Sequence, residues 1–216
     1  MVTRAAILAH RAGPDGRHPE NSIAAARASA KLDIFGIEID LRLSGDGVFF
    51  VYHDDAVPGL GKIAELPAAK LRRRLPTLDE FLPHASGVVY LDVKDRCPPK
   101  KLYQAVSPHL PDDRLIVGSF WHPFIREVKA FRRTLRTAVT VEARLVDPSA
   151  AAKAARADLL AVEKTYVDRA TIRGGVPVFA WTVNDSAEVG RLDAMGCAGI
   201  FTDFPSRFNK QAQPGG

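Results

Sequence analysis

The chain has 216 residues, a formal net charge of +5, and about a quarter of its residues charged against nearly half apolar. That is enough to bury one sizeable core without disulfides, and it excludes a disordered or small disulfide-held chain. The Lys and Arg are scattered among Ala-rich segments rather than gathered on one face, which argues against nucleic acid as a partner. Cys97 and Cys197 are too few and too far apart for a disulfide framework or a zinc site and read as free thiols.

In chain order, strand-length apolar runs alternate with helical patterns. Strands are expected at 5–10, 35–40, 87–93, 114–120, 137–141, 159–162, 177–183 and 198–203, with helices at 21–32, 77–85, 99–110, 122–134, 147–157, 166–175 and 185–196. Asn21, Thr77, Asp147 and Asp185 stand where N-caps belong, and Thr77 with Glu80 has capping-box spacing. Eight strands of βα type favour a closed TIM (β/α)8 barrel over an open doubly wound sheet. The barrel forms one domain over 1–208, and the polar stretch 209–216 is expected to be a disordered tail. The short apolar run before His10 has the length of neither a signal segment nor a membrane span. The expectation is therefore a cytoplasmic protein with no stable membrane insertion.

One segment does not fit the alternation. The run "VFFVYHD" follows the second strand after only "SGDG", too short for a parallel crossover, so it must be a β-hairpin excursion. A turn about Gly45-Asp46 pairs Leu43 with Val48, Asp40 with Val51 and Glu38 with His53.

Polar residues gather at the ends of the expected strands: His10, Arg11, Glu38, Asp40, Asp92, Lys94, Ser119, Glu142, Glu163, Trp181 and Asp203. In a barrel these ends form one rim, the face where barrel active sites lie. Glu38 and Asp40 are two apart on one strand face, and Asp92 and Lys94 repeat the spacing. Three carboxylates make an oxygen set for one hard divalent cation, Mg²⁺ or Ca²⁺. His10 and His53 supply one group to take a proton and one to give it. His18, His84, His109 and His122 lack such a setting and read as surface or capping residues. Arg11 and Lys94 beside the acids suit a phosphoryl group, the first as a bidentate fork and the second as a point charge. Together these residue types describe phosphodiester cleavage better than carbonyl chemistry.

The motifs "HRAG…HPENS", "GIEIDLRLSGDG", "VFFVYHDD", "LPTLDEFL", "YLDVK", "VGSF", "FAWTVN" and "GIFTDFP", in this order from Ile7 to Pro205, resemble those of the glycerophosphodiester phosphodiesterase family. The resemblance implies a TIM barrel that hydrolyses small-molecule glycerophosphodiesters to glycerol phosphate and an alcohol with Mg²⁺ or Ca²⁺. It implies that Glu38, Asp40 and Asp92 hold the metal, that His10 and His53 are general acid and base, and that Arg11 and Lys94 bind phosphate. It also implies attack by the substrate's own glycerol hydroxyl, giving a cyclic phosphate that water then opens. Glu20 and Asn21 match the "PEN" segment that organises the first loop, with Glu20 reaching toward the substrate. Trp181 is either an apolar wall for the substrate or a buried barrel aromatic.

The chain departs from the family pattern in three places. Ala12 replaces the Gly that usually follows His-Arg, so the turn is expected to find its flexibility at Gly13. Asp92 replaces the commoner Glu, a change tolerated in related phospholipase-D-like enzymes. The segment from His53 to Thr77 is short, which predicts an open pocket. The alternatives that stay open are a phospholipase-D-like or lysophospholipid-cleaving enzyme and a non-catalytic barrel that binds phosphorylated ligands.

Overall fold

The computed structural model describes residues 5–208; the expected tail 209–216 lies outside them. Among the described residues, eleven strands occur in the order β1 Ala6–Ala9, β2 Gly36–Leu43, β3 Phe49–Val51, β4 Ala56–Val57, β5 Gly61–Lys62, β6 Val88–Val93, β7 Leu115–Ser119, β8 Arg136–Val141, β9 Leu159–Glu163, β10 Val178–Trp181 and β11 Gly199–Thr202. Eight of them (β1, β2, β6 to β11) pair in parallel, and β1 bonds to both β2 and β11, so the sheet closes on itself. The fold is a TIM barrel, as the strand count predicts. The helices α1 Ile23–Ser29, α2 Ala68–Leu71, α3 Leu78–Phe81, α4 Pro99–Val106, α5 His122–Phe131, α6 Pro148–Ala155, α7 Arg169–Arg173 and α8 Ser186–Met195 lie between strands.

Strand alternation sorts the core into two shells. On β6, Val89, Leu91 and Val93 point outward to the large core, while Tyr90 packs inward with Leu8, Ile116, Ala138, Ala161, Phe179 and Phe201. Tyr90 fits there because Gly118 faces it: a Cβ at Gly118 would lie 2.0 Å from the Tyr90 hydroxyl. Each inward series, carried one or two residues further, leaves the apolar floor and reaches the rim. That is how the sequence positions a site.

The hairpin excursion exists, with its register one residue from the expected one. Leu43 pairs with Phe49, Arg42 with Phe50 and Leu41 with Val51, and the backbone of Tyr52 donates to the carbonyl of Asp40 at 3.0 Å. The cause is the loop. Ser44 and Val48 bond across a three-residue turn, Gly45 to Gly47, in which Gly47 takes φ 85°, a left-handed position that favours glycine. Beyond β3 the chain makes the small β4–β5 hairpin and α2, which pack Val57, Ile63, Ala68, Leu71 and Leu75 around Phe50 as a separate small core.

The capping box at Thr77 and the caps at Asp147 and Asp185 are present. Ser22, not Asn21, caps α1, because Asn21 has φ 54° and turns its amide elsewhere. The expected helix 166–175 starts later, with Asp168 as its cap. Both thiols are free and buried, and burial pushes Cys97 up to about 11. Among the described residues no helix is long and apolar enough to cross a membrane.

Candidate active site

At the C-terminal ends of the barrel strands lies a cavity of about 330 Å³, lined in part by His10, Arg11, Glu38, Asp40, His53, Asp92, Lys94 and Trp181. Eight of the nine residues singled out for the site therefore meet in one place. The ninth, Glu20, is not among the lining residues. It accepts two 2.9 Å hydrogen bonds from Arg11 and so holds that guanidinium from behind.

Glu38, Asp40 and Asp92 are buried, and each offers an oxygen within 4.8 Å of the others. Glu38 and Asp40 are inward neighbours on β2, and β6 sets Asp92 directly beside Asp40 in the parallel ladder. Lys94 bridges the two strands, donating to Asp40 at 2.8 Å and to Asp92 at 2.5 Å. Asp40 also accepts from the Asn21 amide at 2.8 Å, while the Asn21 carbonyl takes the Asp40 backbone N–H at 3.2 Å. The Asn21 signal in "PEN" thus marks a carboxylate clamp rather than a helix cap.

The electrostatics follow from this wiring. Burial would raise Asp40, but Lys94 and Asn21 hold it below the usual carboxylate range. Burial and the neighbouring Asp40 push Glu38 up to about 8, against the pull of His10. Burial also raises Asp92, against Lys94, and its Oδ1 is buried with no hydrogen-bond partner. An acid set crowded enough to retain a proton, with one orphaned oxygen, fits a divalent cation and is poorly matched without one.

The two imidazoles have different supports. His10 Nδ1 bonds to Asp203 at 2.7 Å, and Asp203 is itself held by the Asn184 amide at 2.7 Å. Burial would lower His10, but Asp203 and Glu38 outweigh it and raise it. His53 is more exposed and bonds through Nδ1 to its neighbour Asp54 at 2.8 Å. Its backbone carbonyl accepts two hydrogen bonds from Arg42, at 2.9 and 2.8 Å, and Arg42 also donates to Asp95 at 3.0 Å. Sequence reasoning assigned no role to Arg42, although it continues the inward series Glu38–Asp40 by another two residues.

The turn after β1 carries strain. Arg11, Ala12 and Gly13 all have positive φ, at 49°, 66° and 71°. Gly13 supplies flexibility as expected, yet Ala12 is left-handed as well. This conformation aims the Arg11 backbone N–H at Glu38, 2.8 Å away, and the Ala12 carbonyl at Ser29. It places a main-chain donor on a metal-type acid.

The far side of the cavity is built of Phe120, Thr140, Glu142, Ala161 and Trp181, and Phe201 lines it from β11 beside β1. Trp181 lines the cavity and stacks edge-on with Phe120, with centroids 5.9 Å apart. Of the other expected rim residues, Ser119 is buried and donates to the Val93 carbonyl, and Glu163 turns away to accept from Thr165.

The glycerophosphoryl diester phosphodiesterase family model matches residues 10–207. The chain is 26% identical to a glycerophosphodiester phosphodiesterase of Caldanaerobacter subterraneus, over 97% of this chain and 98% of that one. It superposes with a TM-score of 0.85 on an Oleispira antarctica phosphodiesterase solved with its product sn-glycerol-3-phosphate, at 24% identity and 94% coverage of each chain. A glycerophosphodiester phosphodiesterase from Parabacteroides distasonis gives 0.82, at 20% identity and 96% coverage of each.

Proposed function

Because this chain belongs to the glycerophosphoryl diester phosphodiesterase family and so to an enzyme class, we propose that it hydrolyses glycerophosphodiesters to glycerol phosphate and an alcohol with one divalent cation. The observation that carries this reading is the meeting of three buried carboxylates, two imidazoles, Arg11 and Lys94 in one cavity. Glu38, Asp40 and Asp92 would hold the cation; their all-oxygen donor set suits Mg²⁺ or Ca²⁺. When bound, the cation supplies Lewis-acid polarisation of the phosphoryl oxygens.

The remaining steps belong to the side chains. Arg11, fixed by Glu20, and Lys94, fixed by Asp40 and Asp92, orient the phosphate and offset its charge. With its Nδ1–H given to Asp203, a neutral His10 presents the lone pair of Nε2, which suits it to take the proton of the attacking hydroxyl. His53 then gives a proton to the leaving alcohol oxygen. If the attacking group is the substrate's glycerol hydroxyl, the first product is a cyclic phosphate, and the same pair run in reverse admits water.

Phosphorus NMR on a panel of diesters with Mg²⁺, Ca²⁺ or chelator tests the reading. Glycerol phosphate or its cyclic form, appearing only with metal, is the expected outcome. No turnover of any diester with either metal would overturn it. Exposed Phe120 and Trp121 near the rim favour, as a second reading, a lysophospholipid with its acyl chain still attached; lysolipids in the same panel decide between the two.

A further inference from the structure

The strands of the far half carry two carboxylates to the rim, and their situations differ. Glu163 is occupied: its carboxylate accepts from the backbone N–H and hydroxyl of Thr165 and caps the turn there. Glu142 lines the cavity, is exposed, and has no hydrogen bond or ion pair among the described residues. One residue past the end of β8, it continues the inward series Ala138–Thr140. In the ring order β1-β2-β6-β7-β8-β9-β10-β11, β8 stands four strands from β1, directly across from His10.

The surroundings of Glu142 are aromatic and roomy. On one side, Phe120 follows the end of β7; two strands away on the other, β10 ends in Trp181; between them, among the described residues, β9 contributes only Ala161 to the lining. Phe120 and Trp181 pack nearly at right angles, with an interplanar angle of 87°. Lys94 approaches the Phe120 ring to 5.8 Å, so this ring already accommodates a cation on the metal side. An unpaired carboxylate beside aromatic rings is the chemistry that recognises an ammonium group. It would repel the phosphate, which the cations of the opposite half attract.

We infer that Glu142, with Phe120 and Trp181, forms a subsite for a positively charged alcohol portion of the substrate, so that the preferred diesters carry a quaternary or primary ammonium group such as choline or ethanolamine. This rests on the diesterase reading above. The phosphate sits among Arg11, Lys94 and the carboxylates, and the alcohol extends across the barrel toward β8. The carboxylate of Glu142 pairs with the ammonium, while the rings cover its methyl or methylene groups. An acid there that served the glycerol end instead would affect every diester alike.

The test compares kcat/KM for glycerophosphocholine and for glycerophosphoglycerol, whose alcohol is neutral, in the wild type and in Glu142→Gln and Glu142→Lys. The choline-to-glycerol ratio should fall about tenfold in Glu142→Gln and further in Glu142→Lys. Tetramethylammonium should compete with substrate in the wild type and lose that competition in Glu142→Gln. An unchanged ratio in both variants, with diester turnover intact, would overturn the subsite and leave the diesterase reading standing. No cleavage of any diester by the wild type overturns both. Circular dichroism of each variant shows whether a lost ratio reflects a folded protein.

Discussion

The two halves of the cavity are built on opposite principles. On β1, β2, β6 and the excursion, every charged group is held by at least one other: Asp40 by Lys94 and Asn21, His10 by Asp203, and Arg11 by Glu20. On β7 to β10 the lining is aromatic or small, with the unpaired Glu142 as its only carboxylate among the described residues. A network in which each member fixes the next keeps geometry at the level that bond-making requires. A surface of rings and one free charge selects among partners and leaves the chemistry alone. Substitutions in the first half should therefore affect all diesters equally, and those in the second should change ratios.

The largest effects test the first half directly. His10→Ala and His53→Ala should each lower kcat by about 10²- to 10⁴-fold on every diester, with little change in the ratio between substrates. Glu38→Gln should act in the same way and also raise the metal concentration needed for half activity. Steady-state kinetics across the substrate panel and a metal titration measure both. A His10 variant that lost one substrate and kept another would erase the distinction between the halves.

Next in size is a pH effect peculiar to the acid cluster. Glu38 is raised from its usual 4.5 to about 8, and Asp92 is raised in the same sense. Between those values the native protein holds a proton that the unfolded chain has released, so stability falls as pH rises through that window. His10, also raised, adds to the same trend at the upper end. For the metal-free protein the loss should be on the order of a few kcal/mol between about pH 5 and 8. Saturating Mg²⁺ or Ca²⁺ should flatten the curve, since a cation binds the deprotonated acids. Thermal melts in chelator and in metal across that range give both slopes, and a stability that climbs with pH in chelator would contradict the assigned crowding.

What the chain discloses before folding follows the same division. Eight barrel strands and the pairing of Glu38 with Asp40 are legible, because strand alternation with period two makes inward neighbours predictable from spacing; Asp92, His10 and His53 join them through the strand ends and the excursion that share one rim. The hairpin register differs by one residue from the expected one, because the loop closes over three residues with Gly47 left-handed, and "SGDG" admits either count. Asn21 stands where a helix cap belongs, yet its side chain bonds to an acid 19 residues away that no local rule connects to it. The far half is less legible: Glu142 and Trp181 stand at expected strand ends, but their neighbours carry no polar signal. Phe120 and Thr140 look like ordinary strand residues, and only the closed ring shows that they share a cavity with Glu142.

The excursion sits between the two principles, and a smaller effect probes it. His53 is carried by a loop whose own core packs around Phe50, and Arg42 ties the His53 carbonyl to Asp95. Arg42→Ala should lower kcat by roughly tenfold through loosened placement of His53, while KM and the substrate ratio stay near their wild-type values. Arg42→Lys, with a single donor head in place of the fork, should recover part of the loss. Equal loss of kcat and rise of KM would place Arg42 with the phosphate ligands instead.

The smallest effect concerns Ala12, where the first half stores strain. A buried Ala changed to Gly normally loses about 0.8 kcal/mol for the methyl and about another 0.5–1 kcal/mol in backbone freedom. At Ala12 the left-handed φ of 66° adds a term of opposite sign, about 1–2 kcal/mol, that glycine removes. The two nearly cancel. Ala12→Gly should therefore leave stability within about 1 kcal/mol of wild type, whereas Ala26→Gly, equally buried but within α1, should cost about 1–2 kcal/mol. Urea unfolding of the two variants side by side measures the difference. If both lose the same amount, the turn that aims the Arg11 N–H at Glu38 holds no strain, and the first half owes its geometry to charge pairing alone.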